Sequence, residues 1–139
     1  MIRTTITIQG NRIHVDKQLQ QRALNRIVKR ACELWIDVAK KDFQKKRVNK
    51  NSSGDLLDSF FYDSGVKTGD SATGIIIVGV PYGTFVDFGF TTRAGNWWEG
   101  HHFTDEAEKE VRKQLTSISR EEMQKSMRYV RYPKTVIKI

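Results

Sequence analysis

Few residues in this chain have the type and spacing to do chemistry. They are one cysteine, Cys32, three histidines, His14, His101 and His102, and a run of aspartates at Asp55, Asp58, Asp63, Asp70 and Asp87. A catalytic thiol needs an electropositive, accessible setting. Cys32 instead stands among apolar positions at helical spacing, where it reads as a small buried hydrophobe. Zinc needs His and Cys ligands converging from spaced positions, and two adjacent histidines do not face one way on a helix or strand. His101 and His102 therefore read as a polar, partly exposed pair just before a helix. A nuclease would draw several aspartates onto one divalent metal, but three of these lie beside Gly and Ser in turn-like sequence. Neither Gly65–Gly69 nor Gly79–Gly83 has the spacing of a phosphate-binding loop. The expectation is a chain that is not an enzyme, with no catalytic residues, no metal ligands and no cofactor.

The elements that would position these residues follow from periodicity. Residues 4–15 alternate, with Ile6, Ile8, Ile13 and Val15 around Gln9-Gly10-Asn11-Arg12, which predicts a hairpin over residues 1–15. Asp16 has the chemistry of a helix N-cap. After it, Leu19, Leu24, Ile27, Val28, Ala31, Leu34, Trp35, Val38 and Ala39 recur at steps of three and four. That spacing predicts an amphipathic helix over 16–47, roughly 30 residues and on the order of 45 Å long, whose basic end overhangs the core. Residues 53–90 form the sheet region. Asp55–Phe61 is either a strand or a helical turn, and residues 62–72 read as a flexible loop or hairpin tip. Residues 73–80 are a β-branched strand buried on both faces or against a partner. Residues 81–89 fit either a strand or a helical turn after Pro81. Residues 90–100 form a glycine-bounded loop carrying Trp97 and Trp98, one ring packed inward and one free for a partner. A second helix opens near Thr104 or Asp105, with Asp105 and Glu108 at capping-box spacing. It carries Phe103, Ala107, Val111, Leu115 and Ile118 on one face, kinks or restarts at Ser117–Ser119, and ends near residue 128 with Met123 and Met127 inward. Residues 134–139 alternate like an edge strand that pairs with this sheet or with a neighbouring subunit. The expected fold is one α+β domain over 1–139, a small antiparallel sheet packed against a long N-terminal helix and a C-terminal helix.

Composition sets the remaining bounds. The 139 residues are 38% hydrophobic and 29% charged, with a formal net charge of +8. One cysteine permits no disulfide within the chain, which fits synthesis in a reducing cytosol. The N-terminal sequence lacks the apolar core of a secretory signal, and no apolar run is long enough to span a bilayer. Residues 16–50 hold eleven Lys and Arg against four acids, whereas residues 51–99 hold two against six. The excess at Lys40, Lys41, Lys45, Lys46 and Arg47 is either a solvated helix face or a contact for a polyanion or an acidic partner. Trp97 and Trp98 lie away from these lysines, unlike the interleaved aromatics of single-strand binders.

Three segments together resemble a family. They are Ser53-Gly54-Asp55-Leu56-Leu57-Asp58-Ser59 after the long helix, Val78-Gly79-Val80 leading into Pro81-Tyr82-Gly83-Thr84-Phe85-Val86-Asp87-Phe88-Gly89, and Trp97-Trp98-Glu99-Gly100-His101-His102-Phe103 before Ala107 in a closing helix. In order and spacing, over roughly residues 16–116, they are similar to the tail-completion, or head–tail joining, proteins of long-tailed bacteriophages. Gly83 stands where that family usually has alanine, Asp87 where it has glutamate, and Phe90-Thr91 where it has threonine. The resemblance implies a structural virion protein of the neck, made in the host cytoplasm. It would cap the tail tube and join it to the head connector as a hexameric ring, without catalytic activity or membrane contact. Its partners would be copies of itself, tail-tube or tail-terminator proteins, head connector proteins, and DNA in the channel. The residues expected at its interfaces are Tyr82, Phe85, Phe88, Trp97, Trp98, Val136 and Ile137. On this reading the purified protein is monomeric or weakly associated and assembles on tails or at high concentration. The alternatives are a basic nucleic-acid-binding module and, behind it, a metal-dependent nuclease using the middle aspartates.

Overall fold

A computed structural model describes residues 2–9, 17–46, 55–68, 71–80, 82–126 and 134–138. The fold is mixed α+β. In chain order its elements are β1 (Ile2–Gln9), α1 (Lys17–Lys46), α2 (Asp55–Asp58), β2 (Phe60–Thr68), β3 (Ser71–Val78), α3 (Gly83–Phe88), β4 (Gly89–Thr91), β5 (Trp97–Glu99), α4 (Phe103–Ser126) and β6 (Lys134–Lys138). Four strands form an antiparallel sheet in the order β2-β3-β1-β6, while β4 and β5 form a separate two-stranded sheet.

Period-two patterning decides which face of the large sheet is covered. Ile2, Thr4, Ile6 and Ile8 of β1 are buried, as are Ala72, Gly74, Ile76 and Val78 of β3. The register sets Thr4 opposite Ile76 and Ile6 opposite Gly74, so these residues share one face. Helix α1 lies on that face. Leu24, Ile27, Val28, Ala31, Cys32, Trp35 and Ala39 are all buried, and Trp35 packs against Phe60 with ring centroids 6.3 Å apart. Cys32 is the buried hydrophobe expected, and burial pushes its thiol up to about 12. At Gly74 the helix comes so near the sheet that a Cβ would sit 2.5 Å from Cys32 Sγ and 2.8 Å from Val28 Cγ1.

Helix α4 packs antiparallel along α1, burying Phe103, Ala107, Val111, Leu115, Ile118 and Met123. Arg26 Nε donates to Glu122 Oε2 at 2.9 Å, and Arg30 Nη1 reaches Glu121 Oε2 at 2.8 Å and Glu122 Oε1 at 3.1 Å. Burial pushes the Glu122 carboxyl up, but the Arg26 and Arg30 hydrogen bonds, with Lys125 nearby, bring it below its ordinary value of 4.5.

Several sequence expectations are corrected. The return arm of the N-terminal hairpin, 11–15, lies outside the described residues, as does Asp16. β1 pairs with β3 along one edge and, over Thr5–Gln9, with β6 along the other. No edge remains there for a local hairpin partner, because a central position under α1 buries Ile6 and Ile8 whereas an isolated hairpin is marginal. The stretch expected as a loop at 62–72 is mostly strand: β2 continues to Thr68 and pairs with β3 from Ser71, its register shifting between Ser64 and Val66. The shift accommodates Gly65 as a bulge. β3 is buried on one face, with Ser71, Thr73, Ile75 and Ile77 half-buried on the other. Helix α4 runs without a kink through Ser117–Ser119, since Ile118, Ser119, Glu122 and Met123 are the buried positions that hold it on α1. Met127 lies outside the described residues. The expected overhang of α1 is shortened, because Phe43 is buried near its end against His101 and Phe103, at 5.1 and 6.0 Å between ring centroids. Of the two readings open at Asp55–Phe61, both apply in turn: a helical turn, then the start of β2.

Two substitutions test this packing. Gly74→Ala is expected to cost about 1–3 kcal/mol by overpacking, and adding Cys32→Ala should recover part of it, a non-additivity measurable by denaturant unfolding. Glu122→Gln should cost about 1 kcal/mol at pH 7, a figure held down by the solvent exposure of both arginines. That stability is present above pH 4.5 and is lost as pH falls through the lowered Glu122 value, so the two proteins should converge in acid.

Candidate functional site

The site is the module between β3 and α4. Its first part, α3, is a short helix, which resolves the ambiguity at 81–89. Gly83 is its first residue because a Cβ there would stand 3.2 Å from Val78 Cγ1 and 3.6 Å from Leu56 Cδ1. The helix ends at Gly89, whose φ of 89° lies in the region that favours glycine. The chain then forms the β4–β5 hairpin, pairing Gly89 with Glu99, Phe90 with Trp98 and Thr91 with Trp97. At its tip the Thr92 amide donates to the Asn96 carbonyl at 2.7 Å.

The end of this hairpin is fastened to the end of α3. The His101 amide donates to the Val86 carbonyl at 2.8 Å, and the His102 amide to the Asp87 carbonyl at 3.0 Å. These bonds satisfy carbonyls that the last turn of α3 cannot pair internally. Gly100 permits the approach, since a Cβ there would meet the Asp87 carbonyl oxygen at 2.1 Å. The Asp87 side chain completes the latch. It is fully buried, its Oδ1 accepts the Thr104 amide at 3.1 Å, and its Oδ2 accepts the Thr104 hydroxyl. The N-terminus of α4 is thus capped by a carboxylate 17 residues earlier in the chain. The expected local Asp105–Glu108 cap gives way to this bond, and the helix starts at Phe103. Burial pushes the Asp87 carboxyl above its ordinary value, with Asp105 adding to the rise, while the Thr104 hydrogen bonds and His102 pull the other way.

On this frame the large side chains point into solvent. Among the described residues, the exposed large hydrophobics are Tyr82, Phe85, Phe88, Phe90, Trp97 and Trp98 in the module, and Phe61 on β2. None of the six residues of β4 and β5 is buried. Alternation sets the two tryptophans on opposite faces of the hairpin. On one face Phe85, Phe90 and Trp98 form a line of rings with successive centroids 6.1 and 5.4 Å apart, and Trp98 continues to His101 at 5.5 Å. His101 meets Phe43, so the surface line is anchored to the core. On the other face Trp97 Nε1 donates to Glu99 Oε2 at 2.9 Å, and Glu99 Oε1 contacts His102 Nε2. Those hydrogen bonds from Trp97 and His102 hold the Glu99 carboxyl below its ordinary range. The expectation of one tryptophan packed inward is therefore corrected: Trp97 is 60% exposed and Trp98 36%. Both rings stay out because a three-residue hairpin has no interior to receive them.

The other expected site residues fall elsewhere. Val136 and Ile137 lie in β6, paired with Thr7 and Ile6 of β1, so the terminal strand joins its own sheet as an outer strand. Lys40 is half-buried, Lys41 pairs with Asp37 at 2.9 Å, and Lys45 lines a cleft between α1 and α4 with Asp37, Glu106 and Glu110. This end of α1 is therefore mixed in charge. Lys46 is the last residue of α1, and Arg47 lies outside the described residues. Among the described residues no group of three His, Cys, Asp or Glu side chains converges as a metal site. Asp58 and Asp63 are exposed, Asp87 is committed to its cap, and Asp70 lies outside the described residues. Among the described residues no helix is long and apolar enough to cross a membrane. Sequence reasoning missed Phe43 as a core residue and Asp87 as a cap. Phe43 lies one helical step of four beyond Ala39, a signal that extending the apolar series would have found.

Comparison with protein-family models, curated proteins and solved structures finds no match to this chain.

If Asp87 is the latch, Asp87→Ala should cost about 2–3 kcal/mol, by removing a cap and leaving the buried Thr104 amide without a partner. Thermal unfolding would read this as a fall on the order of 4 °C per kcal/mol. Asp87→Asn keeps an acceptor and should cost less. A raised carboxyl contributes stability that is complete below its ordinary value of 3.8 and is lost as pH rises through the raised value. The Asn variant should therefore gain on the wild type between pH 4 and pH 7.

Proposed function

We propose that this chain is a structural assembly subunit with no catalytic role, one that joins head to tail in a long-tailed bacteriophage. On this reading it works at the neck of the virion after synthesis in the host cytoplasm. It caps the tail tube, binds neighbouring copies in a ring and docks onto the head connector. The observation that carries the reading is the aromatic module, a set of large apolar side chains held open to solvent on a rigid, latched frame. Monomeric proteins rarely expose contiguous apolar patches above a few hundred Å², and larger ones mark association sites. The aromatic types are those enriched in the centres of protein interfaces.

The segments that resemble tail-completion proteins coincide with the parts that build this module. Leu56 packs beneath α3, residues 81–89 contain α3 and the Asp87 latch, and residues 97–103 bring back the hairpin and open α4. The resemblance thus falls on residues that jointly fix one surface. The nucleic-acid alternative loses support at α1, where acids from α1 and α4 lie among the lysines, and the nuclease alternative loses it at Asp87.

Loss of the gene should leave filled heads and unattached tails in the lysate, visible by electron microscopy, with infectious titre restored by supplying the chain in trans. Phe85→Ser and Trp97→Ala, both at exposed positions, should lower that restored titre at least tenfold while leaving the circular dichroism and melting temperature of the purified protein unchanged. Infectious particles formed normally without the chain would end this reading.

A further inference from the structure

The large sheet has a second face. Helix α1 covers one side, and α4 lies on α1. On the other side Ile75 and Ile77 of β3 are half-buried, while Arg3 of β1 and Phe61 and Asp63 of β2 are exposed. Phe61 is 53% exposed, and no described helix packs there. An antiparallel sheet that faces water on one side normally alternates apolar-in, polar-out, so a phenylalanine and two isoleucines on this side are unusual.

The strand registers order the face into rows. Phe61, Ile77 and Arg3 stand side by side across β2, β3 and β1. Two residues on, about 7 Å along the strands, the row is Asp63, Ile75, Thr5 and Lys138. Lys134, opposite Gln9, holds the corresponding position on β6 two rows further. The face is therefore divided. Its β2–β3 side is apolar apart from Asp63. Its β1–β6 margin is basic, with Arg3, Lys138 and Lys134 at register positions that span about 20 Å.

We propose that this face binds single-stranded nucleic acid, with one base stacked on Phe61 and phosphates along the β1–β6 margin. Three observations favour that occupant. First, an exposed ring and a line of cations share one face about 10 Å apart, two strand spacings. A ligand that carries flat rings on a regularly charged backbone answers both halves, and open sheets with exposed aromatics receive splayed bases in this way. An acidic polypeptide segment answers the margin alone. Second, the charge is one-sided. Asp63 stands on β2, two strands and one row from Arg3 and at the opposite edge from β6, so it does not interrupt the margin. Third, the shape excludes a duplex. Four strands set their outermost backbones about 14 Å apart, wider than the ~12 Å major groove, and a duplex keeps its bases stacked away from Phe61. The lysines of α1 and the rings of the aromatic module take no part.

The binding is a property of the single chain and does not rest on the joining role, which the gene-loss phenotype tests separately. Fluorescence anisotropy of a labelled twelve-nucleotide single strand of mixed sequence reads it directly. At 50 mM salt the purified protein should bind with a Kd on the order of 10⁻⁵ M or tighter. Three phosphate contacts on a single strand predict a slope of log K against log salt of about −2. Phe61→Leu, which keeps apolar bulk and removes the ring, should weaken binding about tenfold with the slope unchanged, and Phe61→Tyr should retain it. Arg3→Gln should make the slope shallower by about 0.7, and Lys134→Gln with Lys138→Gln by about 1.4. Lys41→Gln with Lys45→Gln, on α1, should leave affinity and slope as they are. DNA and RNA forms of the oligomer are both expected to bind, and one form bound at least tenfold tighter keeps the proposal and names the sugar. No binding at 50 mM salt, equal binding of a duplex of the same sequence, or release by poly-glutamate as readily as by unlabelled oligonucleotide would each overturn the proposal. So would a Phe61→Leu protein with an unchanged melting temperature and undiminished binding. If Phe61→Leu lowers the melting temperature, the slopes of the Arg3 and lysine variants decide.

Discussion

The buried carboxylate of Asp87 is the constraint on which the functional surface depends. It lies at the end of a six-residue helix that could not persist in water alone. Its carbonyl and side chain accept hydrogen bonds from His102 and Thr104, on the far side of the hairpin. Three weak elements, α3, the β4–β5 hairpin and the first turn of α4, thereby become one body. Burying the acid opposes ionisation, and the cap geometry offsets that by supplying donors and the positive end of a helix. Acidity and position serve together: a longer acid would move the donors, and an apolar residue would leave a buried amide unpaired.

That body also explains why the aromatic rings are exposed without the module collapsing onto them. A hairpin of three residues per strand with no buried positions gains almost nothing from its own side chains. Its shape is set at the base, where Gly89 and Gly100 allow backbone to meet backbone and where Phe43, Phe103 and Phe60 pack edge to face beneath it. The line Phe85, Phe90, Trp98, His101, Phe43 runs from solvent to core. The outer rings are therefore tied through successive ring contacts to the core beneath α1 and α4.

The long elements were legible in the sequence, and the reasons are local. The three-four spacing from Leu24 to Ala39 and from Phe103 to Ile118 is a property of neighbours in the chain, and both helices form where that spacing runs. A β-branched run marked β3, and alternation marked the first arm of the expected N-terminal hairpin. What could not be read were the pairings between distant segments. β1 takes β3 and β6 as partners, from the middle and the end of the chain, while the sequence near Gly10 favours a local turn. Asp87 gave no sign of its capping role because its partner, Thr104, is 17 residues away. The kink expected at Ser117–Ser119 rested on serine's weak helix propensity, which packing against α1 overrides. The exposed tryptophans illustrate the same limit, since a residue's preference for burial says little where the backbone offers no interior.

The distribution of charge follows from the same division of labour. The lysines and arginines that give the chain its formal +8 were the most conspicuous feature of the composition, and they read as a solvated helix face or as a contact for a polyanion or an acidic partner. In the fold, Lys41 pairs with Asp37, while Lys45 shares a cleft with Glu106 and Glu110 from the facing helix. Arg26 and Arg30 are spent on Glu122 and Glu121. Arg26 and Arg30 thus hold α4 against α1, whereas the pair of Lys41 with Asp37 lies within α1 itself. Beside the apolar rings, by contrast, the charge of Glu99 is occupied by Trp97 and His102. On the proposed reading such a surface would select its partner by shape and apolar contact, with long-range attraction by the net charge acting only to bring acidic surfaces near. Specificity on that proposed reading lies in the rings, and salt should affect how fast the partners meet more than how tightly they hold.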